Sequence, residues 1–168
     1  MAVTGCGGSD TAPSAQAWAT GICTSIATWK ADVEAIATNA AAAITEPGAT
    51  RDDVETAIDD GLAATRTLIA DLRALTPPDT PEGEQAKVEV EAFLGDAQSS
   101  IDAVESAIEA IPDDARLAKI LAALSGLATN LEGTIASGRE LVASLAELGG
   151  TLKDAFESAD SCQELSKS

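Results

Sequence analysis

The chain has 168 residues, a formal net charge of -18 and no histidine. The length is typical of one domain, and a hydrophobic fraction of 45% is too high for a disordered acidic tail. With 10 Lys and Arg against 28 Asp and Glu, a dense phosphate-facing patch is excluded. We therefore expect no nucleic-acid partner and no charge-driven binding to an anionic membrane surface.

The N-terminal residues 1–13 are rich in Gly, Ser and Thr, which predicts a flexible tether. Within them, Val3-Thr4-Gly5-Cys6 resembles a bacterial lipobox, in which an aliphatic and two small residues precede a cysteine that is lipidated. We expect lipidation at Cys6, the alternative being an incidental thiol. The charged and apolar regions of a secretory signal do not precede it, so we interpret Met1-Ala2 as replacing a leader or the start as misplaced.

The first predicted helix extends from about Ser14, a candidate N-cap, to Ile44, and Glu46-Pro47-Gly48 ends it. Apolar residues recur at steps of three or four, which places them on one helical face. This face comprises Trp18, Ile22, Ile26, Trp29, Val33, Ile36, Ala40 and Ile44. Because both tryptophans share this spacing with aliphatic residues, we expect them in the core, with an aromatic ligand-binding surface as the alternative.

Two further helices follow, with Thr50 and Thr80 as predicted N-caps. Thr76-Pro77-Pro78-Asp79 ends the second helix, and Pro112-Asp113-Asp114 ends the third. The predicted core face of the second helix comprises Val54, Ile58, Leu62, Thr65, Ile69, Leu72 and Leu75. That of the third comprises Ala86, Val90, Phe93, Ala97, Ile101, Val104, Ile108 and Ile111.

The fourth predicted helix starts near Asp113, and Gly149-Gly150 interrupts it. Leu152 and Phe156 then predict a short last helix. The predicted core face comprises Leu117, Leu121, Leu124, Ala128, Leu131, Ile135, Gly138, Val142 and Leu145. Whether the Gly149-Gly150 break acts as a hinge is left open.

Four amphipathic helices with short connections predict an all-α, antiparallel up-down-up-down four-helix bundle over residues 14–165, with a long last helix that we expect to kink or break at Gly149-Gly150. An even number of helices returns the chain to the end where it entered, which places Cys162 near Cys23. We therefore expect a disulfide between Cys23 and Cys162, which fits an oxidising compartment. The alternative is two buried free thiols, which behave as small hydrophobes.

Candidate catalytic and metal-binding residues are few. The acidic pairs Asp52/Asp53, Asp59/Asp60 and Asp113/Asp114 are possible divalent-cation ligands, but adjacent helical residues point about 100° apart and the first and third pairs favour helix starts. With no histidine, the usual base for a serine nucleophile and the ligands of a carboxylate-bridged di-iron site are absent. We expect no enzyme, no cofactor and no specific metal site.

The whole pattern resembles the small secreted or lipid-anchored, all-helical proteins of high-GC Gram-positive (actinobacterial-type) bacteria. The residues that carry the resemblance are Val3-Thr4-Gly5-Cys6, the Trp18…Cys23…Trp29 segment and Ser161-Cys162-Gln163-Glu164-Leu165. No activity is established for those proteins, so the resemblance implies a compartment and a fold rather than a mechanism.

From these features we expect an extracytoplasmic bundle, secreted or anchored through lipid on Cys6 to the outer face of the cell membrane. Its expected role is structural or in binding another cell-envelope protein, with membrane contact only through the anchor. The first alternative is a ligand-sensing or solute-binding bundle, which needs polar residues between the helices. The second is an amphipathic protein that opens onto lipid, which a disulfide between the chain ends would oppose.

Overall fold

The computed structural model describes residues 14–45, 50–112 and 117–167. Within these ranges the chain is all-helical and contains no strand. No helix in the described ranges combines the length and the hydropathy that a membrane crossing requires. The six described helices are α1 (Ala15–Thr45), α2 (Arg51–Ala74), α3 (Pro81–Glu109), α4 (Leu117–Glu147), α5 (Gly150–Ser158) and α6 (Asp160–Lys167).

The first three helices begin where the sequence predicts. The hydroxyl oxygens of Ser14, Thr50 and Thr80 each accept a hydrogen bond from the backbone N–H three residues later, at 3.1, 3.3 and 3.0 Å. These bonds satisfy N–H groups that the first helical turn leaves without a partner. Pro81 occupies the first position of α3, where its missing N–H removes no helical bond.

The start of α2 has a reciprocal capping interaction between Thr50 and Asp53. The backbone N–H and the hydroxyl of Thr50 donate to the Asp53 carboxylate at 2.8 and 2.7 Å. The hydroxyl and then the backbone N–H of Thr50 hold the pKa of Asp53 below its usual range. The predicted position of Asp52/Asp53 at a helix start is therefore confirmed, and the Asp53 carboxylate serves the cap.

The core contains side chains from all six helices. Helix α1 packs on α2, α4, α5 and α6, while α2 packs on α3 and α4, and α3 packs on α4 and α5. Trp18 and Trp29 are each only 2% exposed, which confirms that both lie in the core. The predicted faces of α2 and α3 are buried except at Leu75, Ile108 and Ile111, which are half-buried.

The predicted core face of α4 is partly wrong. Ala128 is exposed, and Leu131, Ile135 and Val142 are half-buried. Among the α4 side chains that the structure describes, which exclude Leu117, Leu121 and Leu124, the buried positions are Thr134, Gly138, Leu141 and Leu145, a line that adds two residues the pattern missed. These positions recur at steps of four, three and four, so α4 buries one face that is rotated relative to the predicted one.

The predicted interruption of the last helix is confirmed. Gly149 and Gly150 have φ angles of 84° and 58°, in the left-handed region that favours glycine. The predicted short helix with Leu152 and Phe156 is present as α5. It is not the last helix, since Ala159 adopts an extended conformation and separates α5 from α6. Ala159 is buried, and its carbonyl oxygen accepts from the backbone N–H of Cys162 and Gln163, so it also starts α6.

Two glycines of α3 provide a matched test of packing. A Cβ atom built on Gly83 would lie 1.9 Å from the carbonyl oxygen of Pro78, whereas one on Gly95 meets no atom within 4 Å. We expect Gly83→Ala to lower the free energy of unfolding by about 1–3 kcal/mol, because the loop before α3 must move. Gly95→Ala should raise it by about 0.5–1 kcal/mol through helix propensity. Urea denaturation of both variants measures the two effects, and equal effects would contradict the close approach at Gly83.

Candidate functional site

A disulfide joins the first and last described helices. Cys23 of α1 and Cys162 of α6 are bonded through their sulfur atoms, with Cα atoms 5.0 Å apart and a sequence separation of 139. The two residues are 0% and 4% exposed, so the bond lies inside the core. The pairing is the one that the sequence predicts.

Neighbouring contacts hold the same two parts of the chain together. The rings of Trp18 and Phe156 meet edge to face, with centroids 5.9 Å apart and an interplanar angle of 89°. The hydroxyl of Ser158 donates to the side-chain oxygen of Gln16 at 3.0 Å. The start of α1 is therefore fixed against α5 and α6 by an apolar contact, a hydrogen bond and a covalent bond.

The two tryptophans differ in how their indole N–H groups are satisfied. The Nε1–H of Trp29 donates to the hydroxyl of Thr65 at 3.2 Å, and this hydroxyl donates to the carbonyl oxygen of Gly61 at 2.9 Å. The Nε1 of Trp18 is buried and has no hydrogen-bond partner among the described residues. A buried donor without an acceptor is unfavourable by about 1–3 kcal/mol, so Trp18 differs chemically from the satisfied Trp29.

We expect Thr65→Val to lower the free energy of unfolding by about 1–3 kcal/mol, because it leaves the buried N–H of Trp29 without its acceptor. The matched control is Thr67→Val on the same helix, since the Thr67 hydroxyl is exposed and bonds only the carbonyl oxygen of Ala63. Urea denaturation of both variants compares the loss of the buried hydrogen bond at Thr65 with the loss of the exposed one at Thr67. A loss at Thr67 equal to the loss at Thr65 would contradict the role given to the buried hydrogen bond.

The grooves of the described surface include three of appreciable volume. The first, of about 330 Å³, lies among α4, α5 and α6 and is mostly apolar, with Val142, Phe156 and Leu165 in its wall. The second, of about 240 Å³, lies between α3 and α4 and contains polar residues such as Asp96, Ser100 and Asn130. The third, of about 130 Å³, is called the Trp18 groove below; its lining comprises Trp18, Leu72, Arg73, Leu75, Pro77, Lys87, Val90, Glu91 and Leu94.

The other predicted candidates do not assemble into a site. Asp59 and Asp60 are exposed on α2, whereas Asp113, Asp114 and the predicted lipidation site Cys6 lie outside the described residues. Across the described ranges, no three side chains of Asp, Glu, Cys or His come together as metal ligands would. The structure therefore brings together only the two cysteines among the residues singled out from the sequence.

Sequence reasoning missed two features of the core that bear on binding. Thr134 is buried like Thr65, with 7% of its surface exposed. Its hydroxyl donates a hydrogen bond to the carbonyl oxygen of Asn130. The unpartnered N–H of Trp18 was also missed, since spacing alone gives Trp18 and Trp29 the same environment. Neither feature has a signal in the helical periodicity.

The chain was compared with known protein families, curated proteins and solved structures, and it matches none of them.

Proposed function

We propose that this chain is a non-enzymatic, extracytoplasmic helical domain that is attached to the cell surface through lipid on Cys6 and has a structural or protein-binding role there. The observation that carries the proposal is the disulfide between Cys23 and Cys162. Disulfides form and persist in oxidising environments such as the outside of the cell, and they are rare in the cytosol.

For the arrangement of the long helices, we propose an antiparallel up-down-up-down bundle of α1 to α4. Helices that follow one another in the chain pack together, with α1 on α2, α2 on α3 and α3 on α4, and α4 packs on α1. Short connections favour antiparallel neighbours. The bond between α1 and α6 agrees with a chain whose two ends meet at one end of the bundle.

The anchor supplies the membrane attachment that this surface chemistry lacks. With a net charge of -18, the chain is repelled by anionic lipid headgroups. A lipid-modified cysteine at position 6, followed by the Gly7-Gly8-Ser9 segment, would leave the folded domain beside the membrane. This part of the proposal rests on the lipobox-like residues of the sequence.

A binding role fits the chemistry of the surface better than catalysis. Serines are present, but no histidine exists to activate them. Of the described carboxylates, Asp53 serves a helix cap, and Glu105 pairs with Arg66 between α3 and α2. The exposed acidic faces would attract a partner with a basic surface, and we propose that this partner is another protein of the cell envelope.

The test of the proposed function expresses the gene with its native upstream region and compares the wild type with Cys6→Ser. For the wild type we expect a lipid-sized mass increment on Cys6 and recovery with the membrane fraction. For Cys6→Ser we expect neither, while the Cys23–Cys162 bond remains. Recovery of unlipidated wild type from the cytosol with free thiols at Cys23 and Cys162 would overturn the proposal.

A further inference from the structure

The Trp18 groove has a mixed lining of a kind that small amphiphilic anions bind. Arg73 of α2 and Lys87 of α3 contribute two of the ten positive charges of a strongly acidic chain, and Glu91 contributes one negative charge. Leu72, Val90 and Leu94 supply apolar surface beside these charges. The lining therefore combines a net charge of about +1 with an apolar wall, which matches a monoanion with an apolar body.

The cations of the groove are available to a ligand. Lys87 and Glu91 form an ion pair at 3.9 Å, longer than a hydrogen bond, and both side chains are more than half exposed. Such an exposed pair contributes little free energy, so Lys87 loses little when it turns from Glu91 to a ligand. Arg73 lies in the last turn of α2 and presents the planar guanidinium that binds carboxylates in a bidentate manner.

The rim of the groove is held in place before any ligand binds. Leu75 lies against α1, since a Cβ atom on Gly21 would be 2.9 Å from its Cδ2 atom. Pro77 precedes a turn in which the Thr80 N–H donates to the Pro78 carbonyl oxygen at 2.9 Å. A rim that contains a proline and a packed leucine lowers the conformational entropy lost on binding.

Trp18 places an aromatic ring in the wall of the groove. Trp18 belongs to the groove wall, and its buried Nε1–H has no partner among the described residues. Trp29, outside the groove, has its acceptor in Thr65. A ligand in the groove would therefore change the surroundings of the Trp18 ring and leave those of Trp29 unchanged.

We propose that the Trp18 groove binds a small carboxylate with an apolar body. The volume of about 130 Å³ lies below that of pockets for drug-sized ligands, so the groove fits a small ligand better. Such a carboxylate occurs as a free acid or as the C-terminal residue of a peptide. The site is separate from the proposed lipid anchor and does not depend on it.

The test titrates the 15N-labelled, disulfide-bonded chain with isobutyrate and follows the two indole N–H resonances, assigned with Trp29→Phe. We expect a saturable shift of the Trp18 resonance, no shift of the Trp29 resonance, and no response to the uncharged isobutyramide. Arg73→Gln and Lys87→Gln should each weaken binding about tenfold. The control is Lys153→Gln, which should leave binding unchanged. Lys153 is as exposed as Lys87 and likewise forms an ion pair with the glutamate four residues later in its helix.

A second arm replaces isobutyrate with N-acetylvaline, which imitates a peptide C-terminus. Tighter binding of N-acetylvaline identifies a peptide terminus as the source of the carboxylate, and tighter binding of isobutyrate identifies a free acid. The proposal is overturned if the Trp18 resonance does not move, or if isobutyrate and isobutyramide give equal responses. It is also overturned if Lys153→Gln weakens binding as much as Arg73→Gln and Lys87→Gln do.

Discussion

Replacing both Cys23 and Cys162 by alanine should lower the free energy of unfolding by about 5 kcal/mol. The bond closes a loop with a sequence separation of 139 residues, and the entropy that it removes from the unfolded chain grows with the logarithm of loop length. The loss is comparable to the whole stability of many domains, so the variant should unfold at much lower urea concentrations. Urea denaturation followed by far-UV circular dichroism measures the change.

The control for this experiment is Cys6→Ser, which removes the third cysteine and leaves the bond between α1 and α6 in place. Its unfolding midpoint should equal that of the wild type. Adding reductant should destabilise the wild type and Cys6→Ser alike, and leave the double alanine variant unchanged. If the double variant kept the wild-type stability, the bond would have no part in holding the chain ends together.

Trp29→Ala should lower the free energy of unfolding by about 3–5 kcal/mol, the second large effect. The side chain is 2% exposed and lies among the core residues of α1, and its removal also ends the hydrogen bond to Thr65. Deleting a buried aromatic side chain loses its burial free energy and leaves a cavity. Thermal or urea denaturation gives the magnitude.

The comparison for Trp29→Ala is Val88→Ala on α3, which deletes the most exposed large hydrophobic side chain described, at 62% exposure. Because solvent already surrounds this valine, its loss should change the free energy of unfolding by less than about 0.5 kcal/mol. A similar effect at the two positions would mean that Trp29 does not lie in a packed core.

The ends of the first three helices could be predicted because their signals are local. A hydroxyl at Ser14, Thr50 or Thr80 caps the helix that follows it, and Pro77-Pro78 stops α2 without reference to the rest of the chain. The break at Gly149-Gly150 was predictable for the same reason, since only glycine adopts those φ angles easily. Local chemistry therefore determines where most helices begin and end.

The positions that could not be predicted depend on tertiary contacts. Helix α4 turns a face toward the core that is rotated from its most apolar stripe, so the sequence pattern placed Ala128 inside and missed Leu141. The separation of α5 from α6 occurs at Ala159, a good helix former with no turn signal of its own. Packing against α1 and the bond to Cys23 favour the bent course over a continuous helix.

The candidate sites also divide into one that the sequence predicts and one that depends on tertiary contacts. The pairing of Cys23 with Cys162 was predictable from their places near the first and last helical patterns. The Trp18 groove was not, because it is built from α1, α2, α3 and the loop before α3, which only the folded chain brings together. Helical spacing treats Trp18 and Trp29 alike, whereas the fold gives an acceptor to only one of them.

Peptide mapping of the protein from its native cells shows whether the domain folds in an oxidising compartment. Thiols are alkylated during lysis, and digestion after acidic residues separates Cys6 from Cys23, since Asp10 lies between them. We predict a product that joins the Cys23 peptide to the Cys162 peptide and disappears on reduction. Alkylated Cys23 and Cys162 before reduction would contradict the account.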